Sequence, residues 1–306
     1  MNKGGLTISL IFDGMSLNYG EGLGIISELK KLSRSGKLYT YLSRQAIRYD
    51  IYKMLKEYYD IAKDKEEPLT RDQQVIQFKP EANVKNYEEV DLFGYMKTIQ
   101  GKGAVTRPAV VRISPAISLE PFANDLEFGT NKNFADRLKT DPNPFQFEHH
   151  YSLYTYTITV DLDRIGEDPN DENSLEKEEK IKRVQNLLDV LKLLNRDIKG
   201  RTENLNPLFA IGGVYNVKNP FFLNRLKVEI DKNSEKYKIV TDILESTLNT
   251  SFLNEKVKDK TYTGYIKGFW ANEEEFSQIL PKNRVMGIEE FFGTIKSEVK
   301  AYYESA

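Results

Sequence analysis

The sequence lacks cysteine, has only two histidines in 306 residues, and contains no apolar run of about 20 residues that could cross a membrane. Without cysteine, the chain forms no disulfide, thiolate zinc site, iron–sulfur cluster or cysteine nucleophile. Histidine is the commonest general acid or base, and the chain offers only the neighbours His149 and His150. We therefore expect a cytoplasmic protein with a thin catalytic inventory, no bound metal, no other cofactor and no contact with a membrane.

Charge is nearly balanced overall but is distributed unevenly along the chain, with a net value of −2. Residues 29–56 contain eight basic residues and one acid, and residues 95–119 add four basic residues and no acid. Residues 161–179 hold nine acids against two bases. A chain with charge segregated in this way can present one basic face, and local potential governs the binding of phosphate.

Apolar periodicity outlines the first half of a folded core. Residues 6–13 alternate between apolar and polar side chains, so we interpret them as a strand rather than a signal peptide. From Leu42 to Ala62 the apolar residues fall at helical spacing. Residues 110–119 regain strand character, with Pro115 requiring a bulge or an edge position.

The second half of the core repeats this pattern. Residues 151–162 are rich in β-branched and aromatic side chains, which is typical of a strand. A helix with an apolar stripe follows, and Asn173 is its expected N-cap. Another apolar run, residues 207–217, is interrupted by Gly212 and Gly213. The order β–α–β–β–α–β predicts an α+β fold, a ferredoxin-like or RRM-like antiparallel sheet with helices on one face.

Two stretches interrupt this core. Residues 64–107 are polar and weakly periodic, which indicates an insertion, and residues 120–148 are rich in turn formers, which indicates a protruding hairpin. The glycine-rich residues 18–24 are too flexible for a regular element. Near the end of the chain we expect a strand within residues 261–270 and a helix at residues 288–303.

Six segments of the sequence together match the pattern of one known family: Gly5–Asp13, Tyr41–Arg48, Asp91–Met96, Arg107–Ser114, Tyr151–Gly166 and Ile211–Lys218. The best single marker is the helix entry Leu42-Ser-Arg-Gln-Ala-Ile-Arg48 followed downstream by Asp91-Leu-Phe-Gly-Tyr-Met96. These segments resemble the CRISPR-associated Cas-seven (DevR/Cst-type) backbone subunits of type I Cascade, with I-B as the expected subtype. The resemblance covers about residues 3–225, and the role of later residues stays open.

The resemblance implies a molecule shaped like a right hand. Its RRM-like palm would comprise residues 1–63, 108–119 and 149–306, the last with a C-terminal extension. Residues 64–107 would form the fingers and residues 120–148 the thumb hairpin. Family members stack head to tail along a guide RNA, and their thumbs push between bases at regular intervals. Type I members have no nuclease activity, so the resemblance implies that this chain is not an enzyme.

The resemblance also implies partners. They are the crRNA guide, the target DNA strand, further copies of the chain, and the other Cascade subunits: the large subunit, the five-prime-handle cap subunit and the guide-processing endoribonuclease. Guides differ in sequence, so their holder must read phosphates and 2′-hydroxyls and leave base edges free. With that requirement, the predicted RNA contacts are Ser43, Arg44, Gln45, Arg48, Lys97, Arg107, Arg112, Phe128, Lys132, Arg137, Gly212, Gly213 and Lys218.

Each of these residues also has an ordinary structural interpretation. The arginines could be solvated, Ser43 could be only a helix cap, and the glycine pair could serve a bend or a close approach of backbones. Most aromatic residues fall at core spacing, and Phe128 and Phe134 in the polar excursion are the exceptions. The carboxylates of residues 161–171 lack the pattern of a calcium loop and are better explained as a solvated loop.

Two other functions remain open. The first is an RNA endonuclease of the same superfamily, acting in guide processing or in type III slicing of target RNA. Asp13, Asp125 and the two histidines are its nominal catalytic candidates. The second is a general single-strand binding module without a role in CRISPR defence.

Overall fold

The computed structural model describes residues 4–22, 24–62, 64–72, 74–171 and 174–305, and within them the strands and helices alternate irregularly along the chain. The first strands are β1 (Gly5–Met15), β2 (Ile26–Ser27), β3 (Lys31–Arg34), β4 (Lys37–Leu42), β5 (Leu69–Asp72), β6 (Val75–Phe78), β7 (Tyr95–Ile99), β8 (Gly103–Arg107), β9 (Val111–Ile113), β10 (Ala116–Ser118), β11 (Leu126–Thr130) and β12 (Pro144–Glu148). The later strands are β13 (Tyr151–Asp161), β14 (Asn195–Ile198), β15 (Arg201–Asn204), β16 (Phe209–Tyr215), β17 (Val228–Ile230), β18 (Tyr237–Ile239), β19 (Ser251–Phe252), β20 (Glu255–Lys256), β21 (Tyr262–Tyr265) and β22 (Val285–Gly287).

The α-helices are α1 (Arg44–Tyr58), α2 (Glu88–Phe93), α3 (Lys132–Leu138), α4 (Lys177–Lys192), α5 (Thr241–Leu248), α6 (Glu273–Ile279) and α7 (Ile288–Ser305). Short 3₁₀ turns occupy Leu162–Arg164, Val257–Lys260 and Lys282–Arg284. The expected cap Asn173 lies outside the described residues, and α4 begins after Glu176 as its N-cap. In the described part of the chain, no helix has the length and apolar character needed to span a membrane.

The large central sheet is built around β1, which lies between β13 and β16 and pairs antiparallel with both. On its far side β13 pairs with β9 and β10, and β16 pairs with β21. Helix α1 falls between β1 and β9 along the chain, and α4 falls between β13 and β16. This confirms the predicted α+β class and the order of its elements, while the name RRM-like palm remains a prediction.

The two faces of the sheet are covered differently, because side chains alternate along each strand. Even-numbered residues of β1 and β13, such as Ile8 and Ile158, pack in one core with residues of α1, α4 and α7. On the opposite face, Phe209 and Ile211 of β16 join a second core with Phe222, Trp270 and other residues of the C-terminal part. The residues that the sequence left without a role therefore cover part of the second face.

The strand predicted at residues 110–119 is divided by a bulge. Ile113 faces Ile158 and Ile117 faces Thr155, so four steps along this strand oppose three steps along β13. The extra residue is accommodated at Ser114, whose Oγ accepts the Thr157 N–H at 2.9 Å. This is the bulge that Pro115 required, since proline has no N–H to offer a ladder.

The insertion and the excursion each form a small unit. Between residues 64 and 107, the hairpins β5–β6 and β7–β8 and helix α2 surround a separate apolar cluster that includes Phe78, Val84 and Val90. Between residues 120 and 148, strands β11 and β12 pair with each other in antiparallel orientation, and α3 lies between them at the tip of the hairpin. Strand β2 adds to this hairpin in parallel with β12, because Ile26 pairs with Gln146.

A buried ionic network joins the insertion to the helical layer. The Asp91 carboxylate accepts hydrogen bonds from Arg107 Nη2 and Arg183 Nη1, each at 2.9 Å, and from the Gly166 N–H at 2.8 Å. Arg107 also donates to the carbonyl oxygens of Arg164 and Glu167. The network thus connects α2, β8, the turn after β13 and α4.

Replacing Asp91 with alanine leaves two buried guanidinium groups without their carboxylate. We expect Asp91→Ala to lower the free energy of unfolding by about 3–5 kcal/mol, since breaking a buried pair leaves uncompensated charge. Urea titration followed by circular dichroism measures this loss. The matched control is Asp136→Ala, whose exposed partner is Lys132, and a surface change of this kind alters stability by less than about 0.5 kcal/mol. Equal effects in the two variants would show that the network does not hold the insertion in place.

Candidate nucleic-acid interface

Among the residues predicted to contact RNA, those at the start of helix α1 form the most favourable site for a phosphate. Ser43 caps the helix, because its Oγ accepts the Ala46 N–H at 3.3 Å. No acidic residue lies in the first turn, so the partial positive charge of the helix N-terminus is not compensated there. Arg44 and Gln45 are exposed, and Arg44 forms no ion pair with any described residue. These groups can together donate hydrogen bonds to an anionic oxygen.

The loop before α1 is held against this site by Asn18. The Asn18 Oδ1 accepts the Ser43 N–H at 3.0 Å, and its backbone oxygen accepts the Lys30 N–H at 2.9 Å. Sequence reasoning missed Asn18, since an asparagine in a glycine-rich stretch signals only a turn. Its contact with Ser43 joins residues 25 positions apart, a separation over which local patterns carry no information.

Arg48, one turn further along α1, is already engaged within the molecule. Its Nη2 lies 2.8 Å from Glu89 Oε1, and its guanidinium carbon lies 4.9 Å from the centre of the Phe93 ring. Arg48 therefore joins α1 to α2 of the insertion. Because Glu89 compensates its charge, Arg48 attracts phosphate less strongly than Arg44, and its contact with RNA remains a prediction.

Arg112 and Lys218 come together on the sheet, although they are 106 residues apart in the sequence. Arg112 donates two hydrogen bonds to the Asp161 carboxylate, of 2.5 and 3.0 Å, and 47% of its side chain is exposed. Lys218 pairs with Asp163 and lies 3.7 Å from Asp161. The two cations are largely neutralised here, so their predicted contact with RNA is neither supported nor removed.

The predicted residues of the thumb hairpin are exposed. Phe128 on β11 is 62% exposed and Phe134 on α3 is 63% exposed. Among the residues that the structure describes, Lys132 pairs only with Asp136, one turn along the same short helix, and Arg137 is exposed. An exposed aromatic pair flanked by cations is able to stack on bases, so these residues remain candidates.

The prediction that Arg107 and Lys97 contact RNA is wrong. The Arg107 side chain is 0% exposed, and its donors are used by Asp91 and by backbone carbonyl groups. Lys97 is buried inside the insertion, where its Nζ donates to the Ala82 carbonyl and lies 4.7 Å from the centre of the Tyr95 ring. Burial lowers the pKa of Lys97. Both cations stabilise the insertion from within.

The prediction for Gly212 and Gly213 is also wrong. Both are buried in β16, between β1 and β21. A Cβ atom at Gly212 would overlap the Thr7 carbonyl oxygen, and one at Gly213 would overlap the Lys260 carbonyl oxygen. The glycines therefore permit a close approach of neighbouring backbones, and their alternative interpretation is the one that the structure supports.

Another set of contacts that the sequence did not reveal lies at the base of the thumb hairpin. Lys199, in the turn of β14–β15, lies 4.6 Å from the centre of the Phe147 ring and 5.2 Å from that of Tyr19. Glu148 accepts the Leu29 N–H at 2.7 Å. Three distant segments therefore meet at the end of β12, just before β13 begins, and they fix the direction of the hairpin.

Three of the four nominal catalytic candidates, Asp13, His149 and His150, are bound to ordinary partners. The Asp13 carboxylate accepts the Tyr151 hydroxyl at 2.7 Å, while Asp125 is exposed. The His149 Nε2 lies 2.6 Å from Glu127 Oε2, and the His150 Nδ1 lies 2.7 Å from Thr40 Oγ1.

Comparison with known proteins decides the family. The family model described as CRISPR-associated negative auto-regulator DevR/Csa2 matches residues 6–237. The chain belongs to the DevR/Csa2 family. This confirms the resemblance found in the sequence.

Individual relatives of this DevR/Csa2 chain are distant. Over 165 residues it is 27% identical to the CRISPR-associated protein Cas7/Cst2/DevR of Myxococcus xanthus strain DK1622, a match that covers 47% of this chain and 52% of that protein. The chain thus spans about half the length of this curated relative.

Two solved structures share the fold of the DevR/Csa2 chain. A chain of a CRISPR RNA-guided surveillance complex, pre-nicking, has a TM-score of 0.60 at 12% identity, with 97% of this chain and 99% of that chain covered. A chain of another CRISPR RNA-guided surveillance complex has a TM-score of 0.57 at 12% identity, with 98% and 99% covered.

The buried His150 predicts a measurable dependence of stability on pH. Burial lowers the pKa of His150, so below a pH of about 6.5 the unfolded chain takes up a proton that the folded chain resists. Stability contributed in this way is present above about pH 6.5 and is lost as the pH falls. We expect His150→Gln to reduce the loss of unfolding free energy between pH 7.5 and 5.5 by about 1 kcal/mol. Urea titrations of both proteins at the two pH values test this, and identical losses would refute it.

Proposed function

We propose that this chain is a non-catalytic subunit that binds guide RNA through its backbone and, in several copies, forms the backbone of a CRISPR surveillance complex. The DevR/Csa2 family match and the names of the two structural relatives support this assignment. The observation that carries it is the start of α1, where the exposed Arg44 and Gln45 flank an uncompensated helix N-terminus.

The chemistry of this site suits a guide of any sequence. A helix N-terminus and a guanidinium both bind phosphate oxygens, and contacts to phosphate carry no information about base sequence. When an RNA is held only through its sugar–phosphate backbone, its bases remain free to pair with a target DNA strand. Ser43, Arg44 and Gln45 are consecutive and sit at one end of a helix whose apolar face is buried in the core, so their positions are set by the core.

The thumb hairpin supplies the second part of the proposal. Leu126 and Phe128 on β11, and Phe134 and Leu138 on α3, expose large apolar side chains along the hairpin. A surface of this kind serves as a wedge between bases, where stacking contributes about 1–3 kcal/mol per base. In the same proposal, residues 64–107 act as fingers, residues 120–148 as the thumb, and further copies and other Cascade subunits as protein partners.

The first test follows RNA-dependent assembly. Protein expressed with a repeat-spacer RNA should elute from size exclusion as large assemblies that RNase disperses, whereas a monomer indifferent to RNA would contradict the proposal. Shortened RNA in the same sample would favour the endonuclease alternative, with Asp13→Ala and Asp125→Ala as the variants that identify its catalytic residue.

Arg44→Ala should weaken binding of single-stranded RNA by removing one phosphate contact. We expect the slope of log Kd against log salt to fall by about 0.7, as measured by fluorescence anisotropy between 50 and 300 mM salt. The matched control is Lys56→Ala, which removes an exposed cation from the last turn of the same helix. An unchanged slope for Arg44→Ala, or an equal change for Lys56→Ala, would argue against a phosphate site at the start of α1.

Phe128→Ala combined with Phe134→Ala should reduce RNA-dependent assembly while leaving the fold intact, because both rings are exposed. We expect a loss of binding free energy of about 1–3 kcal/mol for each base that loses its stacking partner. Light scattering coupled to size exclusion measures the size of the assemblies. Leu193→Ala, another exposed apolar residue, is the control, and assemblies of wild-type size in the double variant would exclude a role for the thumb tip.

A further inference from the structure

A trough runs along the sheet on the face opposite α1. It consists of two cavities of about 280 and 320 Å³ that follow one strand. Thr157 and Thr159 line the first cavity and Thr155 lines the second, so odd-numbered residues of β13 form the floor of both. The even-numbered neighbours Tyr156 and Ile158 pack in the core with α1, α4 and α7. Because the side chains alternate, the trough and α1 lie on opposite faces.

The two cavities share the same two walls. One wall consists of the consecutive strands β9 and β10 and the bulge between them. It contributes Arg112 and Ser114 to the first cavity and Ile117 to the second. The other wall is the segment of residues 218–228, whose consecutive residues Leu223 and Asn224 belong to the first and the second cavity respectively. The cavities are therefore two parts of one trough.

Charge varies along the trough. At the first cavity, Arg112 and Lys218 are balanced by Asp161 and Asp163. At the second cavity, Arg34 and Lys227 line the opening and are exposed, and neither forms an ion pair with a described residue. This end of the trough therefore carries uncompensated positive charge.

The second cavity also offers a surface for a planar group. Tyr39 lines it together with Leu32 and Leu226, and the hydroxyl-bearing Ser35 lies beside Arg34. Cations beside an aromatic ring in an open trough are the combination that binds single-stranded nucleic acid, where phosphates pair with the cations and a base stacks on the ring. An acidic peptide would use the cations but would leave the tyrosine face without a planar partner.

We propose that this trough binds a single-stranded polynucleotide at a site separate from the start of α1. The two sites lie on opposite faces of the sheet, so one chain can hold two strands at once. This inference does not depend on the guide-binding proposal, because it rests on different residues.

The test uses fluorescein-labelled oligothymidylate and oligouridylate of about 20 nucleotides, with the full chain alone and with its RNA-dependent assemblies. Arg34→Glu combined with Lys227→Glu should weaken oligonucleotide binding to preloaded assemblies by about tenfold or more, and should leave assembly on repeat-spacer RNA unchanged. Arg44→Ala should instead reduce assembly on repeat-spacer RNA. The two labelled probes show whether the trough accepts DNA, RNA or both, and binding of either supports the proposal.

Three outcomes would overturn it. Equal loss of assembly and oligonucleotide binding in the trough variant would place both strands in one site. Unchanged oligonucleotide binding would remove the trough as a site. Displacement of the probe by a glutamate 20-mer as readily as by unlabelled oligothymidylate would assign the trough to an acidic peptide. If the double variant unfolds, Lys227→Gln, at an exposed position, is measured in the same way with a smaller expected loss of about twofold to threefold.

The outcomes also separate the two proposals. Wild-type protein that fails to assemble on repeat-spacer RNA but loses oligonucleotide binding in the trough variant would refute the guide-binding proposal and leave this one standing. Assembly that depends on Arg44, without any binding of the probe to assemblies, would do the opposite.

Discussion

The guanidinium groups of Arg107 and Arg183 converge on the carboxylate of Asp91, deep between the insertion and helix α4. Charges removed from water are costly unless every donor and acceptor finds a partner. Here the other N–H groups of the Arg107 guanidinium donate to backbone carbonyl groups. The Gly166 N–H donates a further hydrogen bond to the Asp91 carboxylate. Asp91 lies on α2, and this short helix also presents Glu89 and Phe93 to α1. The position of α1 relative to the insertion therefore depends on the network around Asp91.

A second set of polar contacts orients the parts of the molecule that point away from the sheet. Asn18 holds the loop before α1 at the helix cap, and Glu148 holds residues 29–31 at the base of the thumb hairpin. Lys199 closes the same region from a third segment. These contacts leave Arg44 and the aromatic tip of the hairpin exposed while fixing where each is attached. Fixed attachment of exposed ends suits the backbone-binding site proposed above, because ordering a mobile loop on binding would cost affinity.

Sequence reasoning succeeded where the fold follows from local pattern. The alternation in β1 and β13, the amphipathic spacing of α1 and α4, and the proline that forced a bulge before β10 were all confirmed. It failed where polar residues have distant partners. Arg107 and Lys97 lie in a segment without acids, which suggested a basic surface, but their acceptors lie elsewhere in the chain or on the backbone. Gly212 and Gly213 were ambiguous for the same reason, since a close backbone approach and a ligand site both require glycine.

The sequence alone determined the order of the core elements, the apolar faces of α1 and α4, and the resemblance to the family, because periodicity and motif residues are properties of neighbouring positions. Only the tertiary structure decided which cations are free. Arg44 and Arg107 look alike in the sequence, yet one is exposed at a helix start and the other is enclosed by carbonyl and carboxylate oxygens. The same is true of the trough on the sheet, where Arg34, Tyr39 and Lys227 meet across nearly 200 residues. Burial and pairing of charge depend on segments that are distant in the chain and adjacent only after folding.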